Sequence, residues 1–273
     1  MKEGLLKRGI NKVFSNIEHY FYRNHLSILK TIYINFRSLP FKQAIKLPIY
    51  IYGNVELDSL YGDIEIIGEI KRGMIRFGLP TDGPIIDYRV AHIINLGKIT
   101  FHGKATFSNG TTINNRGGHI ILGENVYFGE NSRIISYFRV EIKDCSRFSY
   151  DIQILDSDIH YYIDCEQHKI KSAQNGIIIG ERCTISNRVT ILKGANLPND
   201  IIVASNSLLN KDYKDIPPYS LIGGMPAKFI KGGIRRVFNI HNERMLKKYF
   251  KEHGNDATFI YNGEDINKFC ETV

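Results

Sequence analysis

Large apolar residues return at every sixth position along much of the chain. The longest unbroken series consists of Ile179, Ile185, Ile191, Leu197, Val203 and Leu209. An earlier series contains Leu122, Phe128 and Ile134 and, after a slip of two residues, Ile142, Phe148 and Ile154. An α-helix repeats its apolar face every 3.6 residues and a strand every second residue, so neither produces this spacing. A period of six is typical of a parallel β-helix, with one short strand and one corner per hexad.

Two further columns follow the same period. A small or apolar residue, such as Cys183 or Ala195, comes four positions after most members of the first column. A small residue often comes directly after it, as at Gly123, Gly129 and Gly180, and we expect these residues at tight corners. A β-sandwich is the weaker interpretation, because its strands would alternate with a period of two. Three hexads are therefore predicted to form one triangular coil, whose strands pair with the next coil at about 4.8 Å.

Helical patterns flank the repeats. Residues 5–21 carry an apolar stripe beside Lys7, Arg8 and Lys12, which predicts a helix that covers the first coil or lies on the inner membrane leaflet. Residues 242–253 predict a second helix near the last coils. We therefore divide the chain into an N-terminal helical segment (1–63), a β-helix (64–233) with an inserted loop at about 155–176, and a C-terminal helical extension (234–273).

Composition narrows the choice of partners and compartment. The net charge is +8, which suits an acidic ligand or an anionic surface, while no basic run or motif points to nucleic acid. The four cysteines form no C-x-x-C pair, so we expect a reduced, cytoplasmic protein without disulfides or structural zinc. We find no signal peptide and no apolar run that would span a membrane.

The repeat fails for 25 residues between Ile154 and Ile179, and such an insertion predicts a loop that projects from a corner. It opens with Asp156, Asp158 and His160 at alternate positions. In an extended segment all three side chains would lie on one face. A carboxylate beside an imidazole fixes its tautomer and raises its basicity, so this pattern predicts a general base.

The end of the repeats resembles a known family. Residues 203–228 contain a last hexad, then the pair Lys211-Asp212 and the turn Ile216-Pro217-Pro218. They end with the sequence Gly224-Met225-Pro226-Ala227-Lys228. With the D-x-D-x-H loop, this segment resembles the left-handed parallel β-helix, hexapeptide-repeat acyltransferases over residues 64–233. Within that family the chain is most similar to the sugar O-acetyltransferases of bacterial capsule, O-antigen and exopolysaccharide synthesis, also over residues 31–53.

The resemblance implies acetyl transfer from acetyl-CoA to a sugar hydroxyl, in a homotrimer with sites between subunits. It implies that His160 is the base and that Asp158, or Asp156, orients it. The residues that it implies for CoA binding are Asn187, Ser205, Asn210, Lys211 and Lys228. The chain departs from the family where Thr184 stands in place of a common Trp and where Tyr161, not Pro, follows the histidine.

Other functions stay open at this point. N-acetylation of an amino-sugar nucleotide would use the same fold and donor. A non-catalytic β-helix, serving as a scaffold or sugar-binding subunit at the membrane, would bind no CoA. A histidine-bound zinc, as in the γ-class carbonic anhydrases, is not expected, because His92, His102, His119 and His168 do not share a ligand spacing with His160.

Overall fold

The computed structural model describes residues 25–79, 89–263 and 265–271. The helix predicted over residues 5–21 lies outside the described residues. Within them, most strands belong to three sheets in which a strand pairs with the equivalent strand of the next coil, three places further along the chain except across the inserted loop and at the last coil. This order is that of a three-sided coil, so the parallel β-helix predicted from the six-residue period is confirmed.

The three sheets form the three faces of the coil, and all their pairings are parallel except the last pairing of face one. Face one consists of β1 (Ile49–Ile51), β4 (Ile75–Leu79), β7 (Ala105–Ser108), β10 (Val126–Phe128), β13 (Arg147–Phe148), β18 (Thr184–Ile185), β21 (Ile201–Val203), β23 (Ser220–Gly224) and β24 (Ala227–Lys231). Face two consists of β2 (Val55–Leu60), β5 (Ala91–Asn95), β8 (Thr112–Asn115), β11 (Arg133–Ser136), β14 (Gln153–Leu155), β19 (Thr190–Leu192) and β22 (Leu208–Leu209). Face three consists of β3 (Asp63–Ile66), β6 (Lys98–Phe101), β9 (His119–Leu122), β12 (Arg139–Ile142), β17 (Ile177–Ile179) and β20 (Asn196–Leu197).

The sixth-position column forms the core inside the coil. On face three, Leu122 pairs with Ile142, Ile142 with Ile179, and Ile179 with Leu197, and all four are buried. On face one, four phenylalanine rings stack on one another from coil to coil, with centroids 4.4, 5.5 and 4.2 Å apart: Phe77, Phe107, Phe128 and Phe148. Each coil thus covers the apolar surface of its neighbour, which no coil could bury alone.

The slip of two residues lies at one corner. Ile134 on face two and Ile142 on face three are eight positions apart, whereas Ile191 and Leu197 on the same two faces are six apart. The two additional residues are accommodated where the chain turns from face two to face three. The 18-residue coil predicted from three hexads therefore describes the coil from Ile179 to Leu197, and the coil from Leu122 to Ile142 is 20 residues long.

The small residues after the apolar column lie at corners, but for a different reason from the one predicted. A Cβ atom on Gly180 would lie 2.5 Å from the carbonyl carbon of Pro198, so this position is small because the next coil passes close by. The left-handed backbone of the corner comes two residues later, at Arg182 (φ 53°) and equivalent positions. Asn and Asp tolerate that conformation, and they occupy it at Asn125 and Asp200.

The coil starts earlier in the chain than the predicted boundary at residue 64, because β1 and β2 already belong to faces one and two. Its open end is covered by helix α1 (Ile28–Ser38), which is followed by the short helix α2 (Phe41–Ala44). The side chains of Thr31 and Asn35 on α1 hydrogen bond the backbone of β1, the outermost strand of face one. An exposed strand edge is thereby closed.

The C-terminal helix predicted over 242–253 is confirmed as α3 (Ile240–His253), and Asn239 caps its N-terminus. No residue of α3 is buried, and its ring and amide contacts include residues 258–269, just before and within helix α4 (Ile266–Cys270). In the part of the chain that the structure describes, no helix is long and apolar enough to cross a bilayer.

Candidate active site

The predicted loop leaves the coil at the corner between faces two and three. Strand β14 ends at Leu155 and β17 begins at Ile177, and the loop between them contains an antiparallel pair, β15 (Ile163–Asp164) and β16 (Lys169–Ile170). Most of the loop is exposed, including both of these strands. The start of the loop is held to the coil through the side chains of Asp156 and Asp158, and its returning arm is held by Lys193.

Asp156 is buried in the corner and belongs to the coil. It is the last of four buried polar residues that stack along this corner: Asn95, Asn115, Ser136 and Asp156. Its carboxylate accepts hydrogen bonds from Ser136 Oγ at 2.7 Å, from the N–H of Tyr137 at 2.7 Å and from the N–H of Phe138 at 3.0 Å. Asp156 therefore fixes the start of the loop to the preceding coil, and its carboxylate is turned away from solvent.

Asp158 is exposed and pairs with a lysine from the next coil. The Nζ atom of Lys193 lies 2.5 Å from the Asp158 carboxylate, and it also donates a hydrogen bond of 3.0 Å to the carbonyl oxygen of Ser172. The backbone N–H of Asp158 donates to the carbonyl of Ala173 at 2.8 Å. One ammonium group thus joins the outgoing and returning arms of the loop.

His160 lies on the exposed part of the loop, just beyond these anchors. The segment is not extended, because Ile159 has a left-handed backbone (φ 67°) and its N–H is held by Ser157 Oγ at 2.9 Å. The prediction that Asp156, Asp158 and His160 share one face is therefore wrong. Within the described residues the imidazole of His160 accepts and donates no hydrogen bond, so both ring nitrogens are open to a ligand.

Two of the residues implied for CoA binding lie together at the corner between faces one and two. Asn187 and Ser205 occupy successive coils, and Ser205 Oγ donates to Asn187 Oδ1 at 2.7 Å. They line a cleft of about 360 Å³ that extends over face one, together with Arg147 and Arg236. Thr184, which stands where many relatives have Trp, lines the same cleft.

The cleft carries positive charge without a compensating acid. Its lining residues include the guanidinium groups of Arg147 and Arg236 and no Asp or Glu. Burial lowers the pKa of Arg147, and the nearby charge of Arg236 lowers it further. Two cations that oppose each other in one cleft favour an anionic ligand. Neither arginine was predicted as a site residue, because Arg147 is an outward strand position in the repeat and Arg236 lies beyond the predicted end of the β-helix.

The other residues implied for CoA binding lie elsewhere. Lys211 and Lys228 line a separate cavity of about 230 Å³ near the last coil, with Tyr213 and Phe229. The ammonium of Lys211 lies 5.5 Å from the centre of the Tyr213 ring, and Asn210 is exposed beside it. The structure therefore divides the implied set between two places.

His160 and the basic cleft lie on different sides of the coil. The loop projects from the corner between faces two and three, whereas the cleft lies over face one. In a three-sided coil, face one is opposite that corner. Within one chain, the imidazole and a ligand in the cleft are therefore separated by the body of the β-helix.

Among curated proteins, the chain is similar over most of its length to an uncharacterised protein and over a short segment to a putative O-acetyl transferase. No protein-family model matches the chain. The chain is 28% identical over 224 residues to an "Uncharacterized 24.8 kDa protein in cps region" of Klebsiella pneumoniae, covering 82% of this chain and 97% of that protein. It is 35% identical over 57 residues to the putative lipopolysaccharide biosynthesis O-acetyl transferase WbbJ of Escherichia coli K12, covering 21% of this chain and 28% of that protein.

Solved structures of acyltransferases align with most of the chain at low identity. A mutant form of the N-acyltransferase AntD from Bacillus cereus, in complex with dTDP and coenzyme A, covers 75% of this chain and 89% of its own, with 10% identity and a TM-score of 0.43. The polySia-specific acetyltransferase NeuO covers 76% of this chain and 95% of its own, with 14% identity and a TM-score of 0.36. Among the curated relatives, the partial match in E. coli is a putative O-acetyl transferase, the class that this chain resembles in sequence.

Proposed function

We propose that the protein transfers an acetyl group from acetyl-CoA to a hydroxyl of a bacterial surface polysaccharide or of its precursor. The observation that carries this proposal is the loop: an exposed imidazole without a protein partner follows directly after two anchors that fix the loop to the coil. A held but unpartnered imidazole is suited to take a proton from a substrate. The sequence resemblance and the E. coli relative support the choice of acetyl transfer.

In the proposed reaction, His160 removes the proton of the acceptor hydroxyl as its oxygen attacks the thioester carbonyl carbon. A carbon–oxygen bond forms, the carbon–sulfur bond breaks, and the CoA sulfur leaves with the proton returned by the imidazolium. No acyl-enzyme forms. Backbone N–H groups beside the thioester would stabilise the oxyanion. Asp158 contributes through the loop, because its carboxylate is paired with Lys193 and not with the imidazole.

The basic cleft over face one is the proposed site for CoA. The guanidinium groups of Arg147 and Arg236 suit the phosphates, and Asn187 and Ser205 offer an amide and a hydroxyl to the pantetheine arm. Because the cleft and the loop lie on different sides of one chain, transfer requires His160 of one subunit to meet the cleft of another. This arrangement supports the proposed homotrimer with sites between subunits. We place the enzyme in the cytoplasm, where acetyl-CoA is made.

The test compares two histidines of the same loop. Acetyl-CoA turnover is measured with a panel of sugars that carry either free hydroxyls or free amines. His160 is exposed and makes no side-chain bond in the described residues, so His160→Asn should fold normally and lose about 10²- to 10⁴-fold in kcat. His168→Asn, also exposed, should retain activity within a few-fold.

The outcomes separate the candidate functions. Turnover with hydroxyl acceptors, lost only in His160→Asn, supports O-acetylation. Turnover only with amino sugars would replace it with N-acetylation, and an active His160→Asn would refute the proposed base. Binding of a sugar without any CoA binding would favour the scaffold interpretation.

A further inference from the structure

Helix α1 packs on the coil with its polar side inward. Thr31 and Asn35 are buried against β1, with Ile34 between them. The opposite side is apolar and exposed: Leu29 is 82% and Tyr33 is 53% accessible. This orientation is the reverse of an ordinary amphipathic helix, which turns its apolar side toward the core.

Hydrogen bonds to the strand edge fix this orientation. Asn35 accepts from the N–H of Ile49 at 3.1 Å and donates to its carbonyl at 2.7 Å. Thr31 Oγ1 accepts from the N–H of Ile51 at 3.1 Å. If the helix rotated to bury its apolar side, it would leave these backbone groups of β1 without partners in a buried place. The exposed apolar side is therefore imposed by the capping of the strand edge.

The exposed apolar surface continues onto α2. The rings of Phe36 and Phe41 meet edge to face, with centroids 6.1 Å apart, which joins the two helices into one surface. We call this surface the outer face, and it consists of Ile28, Leu29, Ile32, Tyr33, Phe36, Phe41 and Ile45, each more than 40% accessible. Seven large apolar side chains on one side of two short helices exceed what scattered surface residues explain.

The charges on the two helices themselves are all positive, and the acids Glu56 and Asp58 border the outer face only beside Leu29 and Tyr33. Residues 28–48 include Lys30, Arg37, Lys42 and Lys46 and contain no Asp or Glu. In the described ranges none of these four cations pairs with a carboxylate: Lys30 donates to the carbonyl of Val55, and Arg37 lies over a tyrosine ring. Apolar and aromatic side chains flanked by unpaired cations are typical of helices that lie on membrane surfaces.

We propose that the outer face binds the surface of an anionic phospholipid bilayer. The charge pattern favours a bilayer over residues 1–24 of this chain or a second copy of it. Residues 1–24 contain five Lys or Arg and two Asp or Glu, so their net charge is also positive. A second copy of the chain would likewise bring basic surface against basic surface. Lipid phosphates, in contrast, neutralise the cations while the acyl boundary accepts the apolar side chains. The inference does not depend on the proposed acetyl transfer.

The absence of tryptophan from the sequence allows a direct test. Leu29→Trp places a single tryptophan in the outer face of the full-length protein. Ile260→Trp, at a position 71% accessible near the C-terminus, is the matched control. Emission is recorded in buffer, with phosphatidylglycerol-containing vesicles and with pure phosphatidylcholine vesicles. We expect a blue shift, and quenching by brominated acyl chains, only for Leu29→Trp with the anionic vesicles.

A variant with fewer charges tests whether the lysines of α2 and its C-terminal end attract the anionic lipid. Lys42→Gln with Lys46→Gln should lower partitioning onto anionic vesicles by about thirtyfold. Lys247→Gln with Lys248→Gln on α3, which removes equal charge, should leave it nearly unchanged. No shift with anionic vesicles overturns the proposal. Blue-shifted emission of Leu29→Trp before vesicles are added would also overturn it, because the outer face would then be covered by protein. An equal shift with phosphatidylcholine vesicles would overturn it as well.

Discussion

Substitution of Asp156 separates a structural role for this carboxylate from the catalytic role that the sequence pattern favours. Asp156→Ala removes the acceptor of three hydrogen bonds and leaves a buried hydroxyl and two backbone N–H groups without partners. Each unsatisfied buried group costs about 1–3 kcal/mol. Ser136 is fully buried, whereas Tyr137 and Phe138 are not, so we expect the lower part of that range, about 3–5 kcal/mol in total.

The assay is urea unfolding of the wild type, Asp156→Ala and Asp156→Asn, followed by circular dichroism. Asp156→Asn keeps one oxygen acceptor and should lose about 1–3 kcal/mol, and Ser136→Ala, which removes one of the three donors, about 1 kcal/mol. Tryptic cleavage at Lys169 and Lys171 in the exposed loop should accelerate in Asp156→Ala, because the start of the loop is no longer tied to the coil.

The competing role makes opposite predictions. If Asp156 served to orient His160, Asp156→Asn would lower kcat and leave the free energy of unfolding unchanged. An Asp156→Ala variant that unfolds at the same urea concentration as the wild type, with an unchanged rate of loop cleavage, would refute the anchoring role derived from the three hydrogen bonds.

Three further predictions concern the coil. Gly180→Ala should lower the free energy of unfolding by about 1–3 kcal/mol because its Cβ would overlap the next coil, while Gly176→Ala, with its nearest contact at 3.7 Å, should stay within about 0.5 kcal/mol; equal urea midpoints would contradict this. Phe128→Ala, which interrupts the ring stack, should cost about 3–5 kcal/mol in the same assay, and a loss below about 1 kcal/mol would refute tight packing there. At about pH 8 a disulfide reagent should modify exposed Cys165 at once and Cys183 only after unfolding, because burial raises the pKa of Cys183 to about 12; rapid reaction of both would contradict its burial. Folding raises the pKa of the Cys183 thiol from 9.0, so its contribution to the free energy of unfolding is present below pH 9 and is lost toward pH 12. Cys183→Ala should remove this pH dependence.

The core of the fold was predictable from the sequence because large apolar residues mark the strands that pair. The sixth-position column inside the coil is filled by large apolar side chains, so Leu122, Ile142, Ile179 and Leu197 mark the strands that pair. The structural role of the corner glycines was harder to predict. Gly180 follows the apolar column as predicted, yet its small size is required by the approach of another coil, which a local pattern does not reveal.

The site was predictable only in part. The break in the period located the loop, but the backbone turn at Ile159 separates the two aspartates from His160, and no local signal indicates a left-handed β-branched residue. Arg147 and Arg236 meet in one cleft although they are far apart in the chain. Likewise, the apolar stripe of α1 does not tell which side is inward, since the edge of β1 decides it.

The proposed function requires that this β-helix binds acetyl-CoA. The most direct measurement is isothermal titration calorimetry of the full-length protein with acetyl-CoA, from about 10 µM to 1 mM, beside an Arg147→Gln variant. We expect saturable binding by the wild type that weakens at least about tenfold in the variant, because a half-buried guanidinium in the cleft is lost. Absence of binding by the folded wild type, with and without acceptor sugars, would refute acetyl-CoA as the donor.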